Sequence, residues 1–75
     1  MTTRRMITAI HELARQDADR GQPMPESLDA AERILAGWLD AAGEAGDADT
    51  CTAIRGLGLS RAAEHYADAR RAAHA

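Results

Sequence analysis

Residues 26–45 read ESLDAAERILAGWLDAAGEA, and this stretch decides the fold class. Leu28, Ala31, Leu35, Trp38, Leu39 and Ala42 recur at three- and four-residue spacing, and Ile34 widens the stripe, so one side of a helix is apolar. Glu26 and Asp29 stand in the expected first turn, where the positive end of the helix dipole favours acids. A helix is therefore expected over about residues 26–45. Gly37 inside it costs about 0.8–1 kcal/mol relative to alanine, and close packing beside Trp38 is the expected reason for it. In a chain with two aromatic residues, Trp38 is expected at the centre of the core.

Upstream, Pro23 and Pro25 cannot both sit within a helix, so residues 22–25 form an extended linker. Before them, Met6, Ile7, Ile10, Leu13, Ala14, Asp17 and Ala18 share one face of a helix expected over about residues 3–20. Thr2 or Thr3 caps its start, and Gly21 suits a left-handed stop. Downstream, Asp49 is a cap for a short helix ending near Arg55, and the Gly56-Leu57-Gly58 string breaks the chain. Ser60 then caps a last helix running to about residue 73, with Leu59, Ala62, Ala63, Tyr66, Ala69 or Arg70, and Ala73 as its stripe. No period-two pattern and no internal repeat occurs. The expectation is an all-α, compact three- to four-helix bundle in one domain, its last third a short helix–turn–helix corner.

Composition agrees. Eighteen of 75 residues are alanine, the best helix former, and the chain has no lysine, valine, phenylalanine or asparagine. Six leucines, four isoleucines and three methionines supply most of the larger apolar volume. A core this thin rarely supplies more than roughly 3–5 kcal/mol without a staple, so self-association as a homodimer is expected. No apolar run is long enough for a membrane span and no apolar leader opens the chain. The lone Cys51 cannot build an internal disulfide framework; both points lead to the expectation of a cytoplasmic protein.

The net charge of −3 hides a strong asymmetry. Residues 26–50 carry Arg33 against seven acids, while the flanking thirds are slightly basic. Glu26, Asp29, Asp40 and Glu44 fall on the outer face of the central helix, with Arg33 among them. Such a face either keeps a thin-cored protein in solution, or meets arginines from neighbouring helices, or docks on a basic partner, where complementary charge speeds and orients encounter.

Catalytic groups are scarce. His11, His65 and His74 are far apart, and no C-x-x-C or H-E-x-x-H pattern exists, so neither a zinc site nor another metal or cofactor site is expected. Cys51 and His65 lack a visible third member for nucleophilic catalysis. Gly56 and Gly58 follow no strand and make no phosphate loop. No enzymatic activity is expected.

The string from Ala53 through Gly56-Leu57-Gly58-Leu59-Ser60 to Arg61 resembles the turn of helix-turn-helix DNA-binding domains. That resemblance implies that Arg55, Arg61, Ala62 and His65 face the major groove or its phosphates. In kind only, as a tiny acidic chain without catalytic groups, the protein is similar to small phage- or plasmid-encoded inhibitors and adaptors, anti-CRISPR proteins among them. The expectation is thus a non-enzymatic module whose acidic face (Glu26, Asp29, Asp40, Glu44) docks on a larger protein with a basic surface. A DNA-binding regulator is the alternative.

Overall fold

The computed structural model describes residues 1–74. It contains four helices, α1 (Thr3–Asp19), α2 (Leu28–Ala45), α3 (Ala48–Leu57) and α4 (Leu59–His74), and no strand among the described residues. The all-α bundle expected from periodicity is therefore the fold. No helix among the described residues is long and apolar enough to cross a membrane.

Local chemistry sets the boundaries. The Thr2 hydroxyl accepts the Arg5 N–H at 3.2 Å and starts α1. Gly21, at φ +72°, stops it: the Gly21 N–H donates to the Ala18 carbonyl and the Gln22 N–H to the Asp17 carbonyl. This is the paired 5→2 and 6→1 closure that needs a left-handed residue, and Gly46 ends α2 in the same way.

Three expected starts are displaced. α2 begins at Leu28 because Ser27 caps it, its hydroxyl accepting the Ala30 N–H, so Glu26 lies outside the helix in the linker. α3 begins at Ala48 because Asp47, not Asp49, is the cap; its carboxylate takes both the N–H and the hydroxyl of Thr50, at 3.1 and 2.6 Å. α4 begins at Leu59 and Ser60 caps nothing. Its hydroxyl donates to Glu32 Oε1 at 2.8 Å and ties α4 to α2. Gly56 does not break α3, which runs on to Leu57; Gly58 alone, at φ +89°, makes the corner.

α1 and α2 lie diagonally opposed and do not pack on one another; each packs against both α3 and α4. The core they enclose holds Ile10, Leu13, Leu35, Ile54, Leu57 and Tyr66, with Ala14, Ala31, Ala53, Ala62 and Ala63 fully buried between them. Small side chains let the helix axes approach, and the Cα radius of gyration of 11.1 Å matches the roughly 11 Å of a compact chain of this length. The central aromatic is Tyr66, fully buried, whereas Trp38 is only half-buried at the margin.

Gly37 is not a packing glycine either. A Cβ built there meets nothing within 4 Å. The close approach is at Gly56, where an added Cβ would overlap Met6 Sδ of α1.

Candidate functional site

The most structured polar feature lies where the end of α1, the linker and the middle of α2 meet α4. Asp17 sits in the apolar stripe of α1 and is 5% exposed. Its Oδ2 accepts two hydrogen bonds, from Trp38 Nε1 at 2.9 Å and from the Tyr66 hydroxyl at 2.6 Å. Arg70, one turn beyond Tyr66 and 4% exposed, donates to the Tyr66 hydroxyl at 2.7 Å and to the Gln22 carbonyl at 2.5 Å. A buried carboxylate and a buried guanidinium are thus joined through one phenol, and no buried side-chain polar atom among the described residues lacks a partner. Such a network is tolerable in a core because every member is satisfied. Trp38 and Asp17 also bridge the diagonal across which α1 and α2 do not pack. Burial first, then the hydrogen bond to Asp17, pushes the Tyr66 phenol up from 10.0 to about 12.

Above this network opens a cleft of about 780 Å³ between the linker and α2. Pro23, Met24 and Pro25 line one side, Ile34, Gly37 and Ala41 the other, and Trp38 and Tyr66 lie between. Arg20, Arg33 and Glu26 reach it from the rim. The Arg20 guanidinium stands over the Trp38 ring, 5.4 Å from its centre, within cation–π range.

Glu26, Asp29, Asp40 and Glu44 are all exposed. Asp29, Asp40 and Glu44 share one face of α2 at helical spacing, whereas Glu26 stands apart at the mouth of the cleft. The ion pairs among the described residues are Glu12 with Arg15 and Asp68 with Arg71, each within its own helix. No arginine from a neighbouring helix answers the α2 face. Asp47 and Asp49, exposed at the start of α3, continue the same sign of charge past the end of α2. The two hydrogen bonds from Thr50, hydroxyl before N–H, hold the Asp47 carboxyl below its ordinary value.

One of the four residues implied by the helix-turn-helix resemblance lies off the surface. Arg55 and Arg61 are exposed, but Ala62 is fully buried and cannot face a groove. Its place on the α4 stripe, one residue before the equally buried Ala63, turns it to the core. His65 is half-buried with its ring 6.3 Å from that of His11 on α1. A single residue, Gly58, separates α3 from α4, whereas the motif uses a turn of about three to four. Cys51 is half-buried and free, and no group of three or more metal-ligating side chains occurs among the described residues.

Arg70, offered by the sequence as an alternative to Ala69 in the stripe of α4, is the one of the two that is buried. Its signal was present in the sequence, since position 70 continues the stripe of Ala62, Ala63 and Tyr66. Asp17 likewise occupied an apolar stripe. A charged residue in such a position points to a buried partner, but pairing the two across 53 positions needs the fold. Comparison with protein-family models, curated proteins and solved structures returned no match to this chain.

Proposed function

We propose that the chain is a non-catalytic binding module that presents the acidic face of α2 to the basic surface of a larger protein, in the manner of a small inhibitor or adaptor. One observation carries this reading: Asp29, Asp40 and Glu44 are exposed on one face and no arginine pairs with them. Of the three roles the sequence leaves open for this face, pairing with arginines of neighbouring helices finds no support among the described ion pairs. A field of one sign favours encounter with the opposite sign and sets its orientation. Self-association belongs to the same proposal, because the core is small and Leu28 and Leu59 remain 42% and 38% exposed.

The test compares the wild type with Asp40→Arg/Glu44→Arg in capture of partner proteins from the producing cell, across a salt series. The reversal keeps helicity, since arginine suits the last turn of α2. It is expected to abolish capture of the partner that the wild type holds at low salt. Retained capture of that partner by the reversed variant refutes the proposal. Duplex binding that is lost in Arg61→Ala and falls steeply with salt would put DNA in the partner's place. Sedimentation as a monomer at high concentration refutes the dimer.

A further inference from the structure

We infer that the cleft between the linker and α2 is a binding site for a small amphipathic anion, an acyl-chain carboxylate, beside the acidic face and bordered by Arg33 and Glu26. Its volume, about 780 Å³, lies within the roughly 300–1,000 Å³ of small-molecule sites. Part of the lining suits an acyl chain: Pro23, Met24 and Pro25 of the linker and Ile34 of α2 all border the opening. Between them α2 is bare at Gly37, where an added Cβ meets nothing within 4 Å, so a chain laid across the helix passes over open backbone. The one aromatic face on offer, that of Trp38, is already taken by Arg20, so a stacked planar ligand fits less well than an aliphatic one.

Charge selects the head group. Arg20 and Arg33 both line the cleft, and neither is ion-paired among the described residues. A guanidinium offers paired donors that match a carboxylate. Two acids also border the site. Asp17 is occupied by Trp38 and Tyr66 and offset by Arg70, which leaves Glu26 as the opposing charge at the rim. The wall is held from behind, because Arg70 grips the Gln22 carbonyl and so fixes the linker beside the cleft before any ligand arrives. A preformed wall lowers the ordering cost of binding.

The probe is decanoate, titrated by calorimetry, with decanamide as its uncharged counterpart, while the amide of Gly37 and the indole N–H of Trp38 are followed by NMR. Saturable one-site binding is expected, with decanamide weaker by about tenfold or more, the equivalent of one charge-assisted hydrogen bond lost. Arg20→Ala/Arg33→Ala should weaken decanoate by a similar factor and leave decanamide unchanged, and Glu26→Gln should tighten decanoate. Gly37→Leu, which removes a poor helix former and fills the opening, should keep its helicity and lose binding of both compounds. The inference is overturned if decanoate shows no saturable binding. It is equally overturned if decanamide binds as tightly, which marks a mere apolar sink, or if folded Gly37→Leu binds decanoate like the wild type. None of these outcomes bears on Asp40 and Glu44.

Discussion

Replacing Tyr66 by phenylalanine removes one oxygen from the centre of the buried network and nothing from the apolar packing. The Tyr66 hydroxyl donates to Asp17 at 2.6 Å and accepts from Arg70 at 2.7 Å. Asp17 keeps the Trp38 N–H, and Arg70 keeps the Gln22 carbonyl, so neither charge is left bare. A hydrogen bond to a charged group contributes about 1.5–3 kcal/mol net, and with two such bonds removed a loss of at least that size is expected. A core of this size supplies roughly 3–5 kcal/mol without a staple, so the loss is a large share of the total. The melting temperature should therefore fall by about 6–24 °C, followed by helical circular dichroism.

The pH dependence supplies a second reading of the buried phenol. The folded state holds the phenolic proton more tightly than the unfolded chain does, with a pKa of about 12 against 10.0. A raised pKa contributes stability that is complete below pH 10 and is lost as pH rises through 12. Burial is the first cause of the rise and the hydrogen bond to Asp17 the second, so this loss reports the phenol's whole buried environment. Wild-type stability should thus decline above pH 10 while that of Tyr66→Phe stays flatter, and the gap between them should narrow. Tyr66 is the only tyrosine, so its ultraviolet absorbance reports this titration directly. A variant within about 0.5 kcal/mol of the wild type at neutral pH, together with phenol titration near 10, would refute the network as a source of stability.

Three further outcomes are expected. Gly37→Ala should raise stability by about 0.8–1 kcal/mol in urea unfolding, because the methyl meets nothing and the helix gains a better former. Ala63→Leu should destabilise by about 1–3 kcal/mol and perturb the Tyr66 environment, since Ala63 is fully buried between helices with no room beside it. Asp47, whose carboxyl is held below its ordinary value by the bonds from Thr50, stabilises the start of α3 above the usual carboxylate range and releases it as pH falls further. Asp47→Asn keeps a capping oxygen and should remove that acid dependence, read from the amide exchange of Thr50 and Cys51 between pH 5 and pH 2.

Helical periodicity was enough to locate four helices within a few residues and to assign most of the buried positions. Ile10, Leu13, Ala14, Ala31, Leu35, Ala62, Ala63 and Tyr66 were all legible as stripe members. Local spacing is sufficient there, because an apolar face must find another apolar face whatever the packing partner is. Cap choice was less legible. Asp47 and Asp49, or Ser27 and Glu26, differ by one or two positions, and only the backbone path decides which side chain reaches the free N–H groups.

The candidate site was legible in parts and not as a whole. The acids on α2 could be counted from the sequence, but their lack of arginine partners could not. That depends on where Arg55, Arg61 and Arg71 point once α3 and α4 are packed. Trp38 illustrates the same limit: as the largest apolar side chain it was expected in the middle, yet its indole N–H needs an acceptor and finds Asp17 at the margin. The sequence by itself determined an alanine-rich helical chain with an acidic centre. The tertiary structure decided that α1 and α2 stand diagonally apart, that Asp17 and Trp38 bridge the gap with Tyr66 and Arg70 of α4 beside them, and that a cleft remains above them. Composition and periodicity act along one helix, whereas these contacts join residues up to 49 positions apart, and only the packed chain brings them within hydrogen-bonding distance.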